Sequence, residues 1–154
     1  NKIIKQKQLI AKTLNKGLSK LKGLQLPTIK KNCSHVYYVY AMQIDHKILG
    51  VHRDKIYNAL TAEGIQGLQT NFTVIPELPI FKKKIAFGSK GFPWSQNKHS
   101  RKIRYNQKIC PIAYNMLKNR YLGLLICSYD FQIKDAKNII KAFNKVWDNL
   151  EILK

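Results

Sequence analysis

A chain of 154 residues, 45% apolar and 23% charged, has the size and composition of one folded domain that buries roughly 70% of the surface its unfolded form exposes. Its longest apolar run, "LGLLIC" at 122–127, excludes a membrane span, and the N-terminal alternation of Lys with apolar residues excludes a signal peptide. The net charge of +20 raises nucleic acid as a partner, yet only Arg53, Arg101, Arg104 and Arg120 are arginines, where a phosphate- or guanine-reading surface favours Arg forks.

From residue 3 to 24 the apolar positions Ile3, Ile10, Leu14, Leu18 and Leu21 recur at helical spacing, with Lys5, Lys12, Lys16 and Lys20 on the other sides. This predicts an amphipathic helix capped by Gly23 and stopped by Pro27. "SHVYYVYAMQI" at 34–44 is dense in β-branched and aromatic residues and predicts a strand, central in its sheet because both faces are largely apolar. "HRDKIYNALTAEG" predicts a short helix with Asp54 near its N-terminus, Ile56, Ala59 and Leu60 inward, and Gly64 ending it. A second strand is expected at 65–72, breaking at "TVIPELP", then a long, mobile, basic loop at 82–107. Ile109, Ile112, Ala113, Met116 and Leu117 predict one buried side of a helix over 109–120, with Pro111 in its first turn. A short strand, "LGLLICS", leads to a last helix capped by Asp130, with Ile133, Ala136, Ile140, Phe143, Trp147 and Leu150 on its inner face. The order of elements fits an α/β two-layer sandwich, a small sheet with helices packed on one face, forming one domain over 1–154.

No self-contained catalytic machinery accompanies this plan. "FGSKGF" has no helix directly after it and reads as a turn rather than a phosphate loop. Asp45, Asp54, Asp130, Asp135, Asp148 and Glu151 belong to helix ends and turns. "CSH" at 33–35 lacks the rest of a ligand set, so no metal site is expected. Cys33, Cys110 and Cys127 are odd in number and far apart, which predicts free thiols packed as small hydrophobes in a reducing, cytoplasmic compartment. The abundance of Lys, Asn and Ile is the drift of an AT-rich genome, with most lysines on solvated helix faces. The alternative is a basic module that binds nucleic acid or another polyanion through residues 98–108 and the N-terminal helix.

One stretch stands out. From Ala62 to Phe81, "AEGIQGLQTNFTVIPELPIF" carries no Lys or Arg in a chain otherwise full of them. "LNKGLSKLKGLQLP", "HVYYVYAMQIDHKILGVHRDKIYNALTAEGIQ", "ICPIAYNMLKNRYLGLLIC" and "IKDAKNIIKAFNKVW" together, in this order and spacing, resemble the C-terminal portion of the DegT/StrS-type sugar aminotransferases. The absent initiator Met fits the same expectation of a piece of a longer protein. The resemblance implies a connecting helix at 1–26 and a small C-terminal domain at 34–154, in which a small, mainly antiparallel sheet carries helices on one side. It implies an enzyme that moves an amino group from Glu or Gln to a keto-sugar, usually nucleotide-linked. Pyridoxal phosphate would be held as a Schiff base on a lysine of a preceding large domain, in a protein paired with a second subunit as a homodimer. This chain would then supply no catalytic or cofactor-binding residue. Its part would be a substrate-side wall of Asn71, Phe72, Thr73, Pro76, Glu77 and Phe81, stiffened by Pro76 and Pro79 and kept clear of lysines that are costly to desolvate. Tyr114 and Asn115 stand where the family often has Glu and Arg.

Overall fold

The computed structural model describes residues 1–106 and 108–154, which form two compact units, Asn1–Thr70 with Asn119–Lys154 and, separately, Asn71–Lys118. In the first unit the sheet is four-stranded and antiparallel, in the order β1-β2-β4-β3. These strands are β1 (Leu24–Gln25), β2 (Tyr40–Ile44), β3 (Leu68–Gln69) and β4 (Tyr121–Leu124). β2 is central, as expected, pairing Leu24 with Ile44 on one side and Met42 with Leu122 on the other. Only one of its faces is buried: Tyr40, Met42 and Ile44 point into the core while Ala41 is exposed. The strand is also shorter than the apolar run suggests. Tyr37 has φ 55, a left-handed backbone that cannot continue a strand, and its N–H is bonded to His35 Nδ1 at 2.8 Å. Val36 and Tyr38 are left outside, the latter 70% exposed.

Three long helices cover the buried face: α1 (Lys2–Leu18), α3 (Arg53–Ala62) and α7 (Ile133–Asp148), with the single turn α2 (His46–Leu49) between β2 and α3. α7 packs against both α1 and α3. Contact with two neighbours widens its buried face beyond one stripe, so Ile139, Ala142 and Val146 are buried along with Ala136 and Phe143. Its N-terminus is closed by Gln132 and Asp135 bonding reciprocally, in place of Asp130, because Gln132 N–H reaches Asp135 Oδ2 at 2.8 Å. At α1 the buried row begins with Lys7 rather than Ile3, which is 70% exposed; the Lys7 ammonium donates to the Tyr129 carbonyl at 2.6 Å. Gly17 lies so close to Ile140 that an added Cβ would sit 2.4 Å from it, which sets the approach of α1 to α7. The helix ends at Leu18, before Gly23, whose φ of 73 instead turns the chain into β1. α3 ends before Gly64 (φ 84), as its sequence suggests.

The second unit is built from short pieces: a 3-10 turn (Ile75–Glu77), α4 (Pro79–Lys83), a second 3-10 turn (Trp94–Gln96), α5 (Lys98–Lys102) and α6 (Pro111–Asn115). The expected open loop is thus folded, apart from its last residue, Gln107, which lies outside the described residues. Its organiser is non-local. Phe81 meets Trp94 edge-on at 5.9 Å and Tyr105 at 5.3 Å, and Trp94 Nε1 donates to the Tyr105 hydroxyl at 2.8 Å. Around Gly88 and Gly91 the chain turns as predicted, bridging Phe87 to Phe92. The expected amphipathic helix over 109–120 is only α6 followed by a π-turn (Met116–Arg120), and its supposed inner residue Ile112 is 80% exposed.

Cys33 and Cys127 are exposed and Cys110 is half-buried, so none is packed as a core residue. No described helix is long and apolar enough to cross a membrane.

Candidate functional site

The lysine-free segment supplies the second unit's first turns. Pro76 and Pro79 each sit in the opening positions of a short helix, where a fixed φ suits the backbone and a missing N–H leaves no gap. Glu77 N–H closes the first turn on the Val74 carbonyl at 2.7 Å, and Phe81 N–H closes the next on Leu78 at 3.0 Å. Val74 is buried, while Pro76, Glu77 and Phe81 are half-buried and Asn71, Phe72 and Thr73 are exposed.

Of these candidates, Glu77 enters a defined concavity. An open hollow of about 360 Å³ is lined by Glu77, Lys82, Tyr105, Asn106 and Lys108. Phe81 stands behind it through its ring contact with Tyr105. Asn71, Phe72, Thr73 and Pro76 do not line this hollow. Lys82 and Lys108, from outside the lysine-free stretch, also line it. In an open site a charged group avoids the cost of full burial. Tyr105 accepts from Trp94, which leaves its own O–H to donate, and Asn106 Oδ1 accepts the Lys108 backbone N–H at 3.0 Å. A carboxylate, a phenol and two ammonium groups around one hollow form a set suited to the hydroxyls of a sugar. Sequence reasoning missed Lys82 and read Tyr105, Asn106 and Lys108 only as part of the basic segment 98–108; the signal that could have joined them to Glu77 is the aromatic trio at 81, 94 and 105 in a segment otherwise polar.

In the first unit several groups of the kinds pyridoxal phosphate uses are already committed to partners within the chain. That cofactor needs a lysine amine and an acid for its ring nitrogen. Lys7, the one buried lysine among the described residues, is committed to a backbone carbonyl. Asp54 pairs with Arg53 at 2.7 Å, Glu63 with Lys145 at 2.8 Å and Asp45 with Arg120 at 3.8 Å. No cluster of three or more His, Cys, Asp or Glu that could hold a metal ion occurs among the described residues.

Two solved structures share this fold. An aminotransferase, TlmJ, from Streptoalloteichus hindustanus matches 96% of the chain with a TM-score of 0.61 at 16% identity. A putative sugar aminotransferase, Spr1654, from Streptococcus pneumoniae in a PMP form matches 97% with a TM-score of 0.65 at 14% identity. In each the match occupies 32% of the larger chain. Among curated sequences, the uncharacterized protein MJ1066 of Methanocaldococcus jannaschii is 29% identical, and the spore coat polysaccharide biosynthesis protein SpsC of Bacillus subtilis is 25% identical, each over 99 residues. Those residues are 64% of this chain, and the match covers a quarter of either relative. The sequence profile of the DegT/DnrJ/EryC1/StrS aminotransferase family matches residues 1–107, more than half of the molecule, and the chain belongs to that family.

Proposed function

We propose that this chain is the C-terminal small domain of a pyridoxal-phosphate-dependent sugar aminotransferase, which moves an amino group from Glu or Gln to a keto-sugar, commonly nucleotide-linked. Coverage carries this reading: 96–97% of the chain superimposes on 32% of each of two aminotransferases. The similarity to a spore coat polysaccharide biosynthesis protein supports an amino-sugar destined for a cell-surface polysaccharide. In this reading the cofactor, which supplies the electron sink for amino transfer, belongs to a preceding large domain, and the working protein is a cytoplasmic homodimer.

The chain's own task is on the sugar side. Glu77 accepts from a sugar hydroxyl and Tyr105 donates to another, which orients the ring. In this reading Asn71, Phe72, Thr73, Pro76 and Phe81 add substrate-side contacts outside the hollow, with the two prolines fixing the backbone before substrate arrives.

The test uses the full-length protein. Its absorption spectrum reports the bound cofactor, and Glu-dependent amination of a panel of keto-sugars reports the activity. Glu77→Gln is expected to raise the sugar KM about tenfold, the effect of losing one charge-assisted hydrogen bond, with the cofactor spectrum unchanged. A protein that shows the cofactor band but aminates no keto-sugar overturns the sugar assignment; one without the band overturns the enzymatic reading.

A further inference from the structure

The turn from Phe87 to Phe92, in the Asn71–Lys118 unit, sets apolar and cationic groups side by side. Phe87 and Phe92 face each other across a single antiparallel bridge, and Ala86 N–H donates to the Phe92 carbonyl at 3.2 Å. Between them the chain reverses through Gly88 (φ 64) and Gly91 (φ 73), left-handed positions that suit glycine. A Cβ added at Gly88 would meet nothing within 4 Å, so the turn stands clear of the other described residues. The two rings touch, with centroids 6.1 Å apart, yet Phe87 is 72% exposed and Phe92 41%. Ile85, just before the turn, is exposed as well. Two rings held in water at one turn add little to the stability of the fold; they gain when an apolar phase takes them up.

The charges round this turn have one sign. Lys83, Lys84, Ile85, Lys90 and Arg101 line one open hollow that includes the turn residues Ser89 and Gly91, and no acid is among its walls. From residue 78 to 129 there is not one Asp or Glu, and among the described residues no acid pairs with Lys83 or Lys90. Both lysines are exposed, on stems long enough to lie along an apolar surface while the ammonium stays wet. Drift toward Lys adds charge; it does not clear the acids from around an exposed pair of aromatic rings.

We propose that this turn is a docking surface for an anionic lipid bilayer. Phe87 and Phe92 enter the boundary between headgroups and acyl chains, and Lys83 and Lys90 meet the anionic headgroups. The combination selects the partner. Nucleic acid is served best by Arg forks, but Arg101 turns Nε and Nη2 to the Ser95 carbonyl, and Ile85 and Phe87 would find no apolar phase there. A lipid surface satisfies both sets of groups at once. The contact is on the bilayer rather than through it, and one small patch of this kind attaches reversibly. None of these residues lines the Glu77 hollow, so the proposal does not rest on the aminotransferase reading.

The experiment sediments the full-length protein with vesicles of pure phosphatidylcholine or with about 30% phosphatidylserine added. Binding is expected on the anionic vesicles alone, weakening as salt rises. Phe87→Ser with Phe92→Ser should weaken it about tenfold or more. Lys83→Gln with Lys90→Gln should weaken it about tenfold and flatten its salt dependence. Lys12→Gln with Lys137→Gln removes the same charge from exposed positions of α1 and α7 and should change it by less than about twofold. Because the altered side chains are exposed, every variant should keep its melting temperature and its amination of a soluble keto-sugar. Phe87→Trp gives a second reading, since its added emission should shift to the blue on anionic vesicles and be quenched by brominated acyl chains. Absence of binding to anionic vesicles at about 0.1 M salt overturns the proposal. So does binding that the two serines leave intact, which would come from net charge alone. An oligonucleotide that binds more tightly than the vesicles, and loses affinity with Lys83 and Lys90, assigns the cations to nucleic acid and overturns it too. Amination lost with vesicle binding kept sinks the enzymatic reading alone.

Discussion

The two units of this chain solve different physical problems. The first, Asn1–Thr70 with Asn119–Lys154, contains the entire continuous hydrophobic cluster, in which Tyr40, Phe143, Leu14 and Leu122 are fully buried. The second, Asn71–Lys118, has only Val74 and Trp94 buried among its described residues. It nevertheless contains eight of the seventeen large hydrophobic residues left exposed, and ten of the chain's 28 Lys and Arg against one of its eight acids. The contrast separates roles. A unit that buries its apolar side chains supplies stability, and one that leaves apolar and cationic groups exposed has the kind of surface recognition uses.

Truncating each unit's central aromatic ring is the strongest way to break that comparison. Phe143→Ala should destabilise the chain by about 3–5 kcal/mol, since a fully buried ring leaves a cavity that helices already packed together cannot fill. Phe81→Ala removes a half-buried ring held by two aromatic neighbours and should cost only about 1 kcal/mol. Urea denaturation followed by far-UV dichroism measures both. Equal losses would mean that the second unit carries a core of its own.

Arg53 tests how the first unit tolerates a charge inside it. It is 5% exposed, donates from Nη1 to the Tyr121 carbonyl at 2.7 Å and pairs through Nε with Asp54. The bond to Tyr121 ties the first turn of α3 to the first residue of β4. Arg53→Met strips a buried carbonyl of its donor and an acid of its counter-charge, so a loss of about 2–3 kcal/mol is expected. Arg53→Lys should recover part of it, and a neutral result for Arg53→Met would show the bonds to be incidental.

A smaller effect separates the units by pH. Burial pushes the Tyr40 phenol well above its ordinary value, with a further push from Tyr37, and burial also raises Tyr37 and Tyr121, the last opposed by the Gln69 hydrogen bond. The folded first unit therefore holds these protons more tightly than the unfolded chain does. Their contribution is complete below the ordinary phenol value of 10.0 and is lost as pH rises above it. Melting curves should be flat toward pH 10 from the neutral side and fall beyond it. Tyr40→Phe, which also gives up the bond to Asn15, should cost about 1 kcal/mol at neutral pH and blunt the alkaline fall.

What the sequence made legible follows the same division. α1, α3 and α7 were readable because each repeats apolar residues at the helical period against a sheet, and the central place of β2 followed from its β-branched and aromatic density. Inside that frame the errors are local: a lysine that seals a carbonyl where Ile3 was expected, and a tyrosine backbone that halts a strand. In the second unit the one helical period, at 109–117, does not mark a buried side, and the rest has no period to read. Phe81, Trp94 and Tyr105 come together from positions more than ten residues apart, and Glu77 shares a hollow with Lys108, about thirty residues on. Of the six wall residues chosen from the family resemblance, only Glu77 lines this hollow, whose other residues come from later in the chain.

The smallest expected effect sharpens the point most. The spacing of Ile109, Ile112, Met116 and Leu117 predicts a helix with a buried side, and under that prediction Ile112→Ser would cost about 2–4 kcal/mol. In the structure α6 runs for five residues before the π-turn, and Ile112 is 80% exposed. Removing an exposed side chain that touches no core changes stability by at most about 0.5 kcal/mol. Denaturation of Ile112→Ser at two protein concentrations decides the matter. A negligible and concentration-independent change agrees with Ile112 standing free of any core. A large loss that grows on dilution would show that copies of the chain already cover that residue, and the second unit would then owe its order to association.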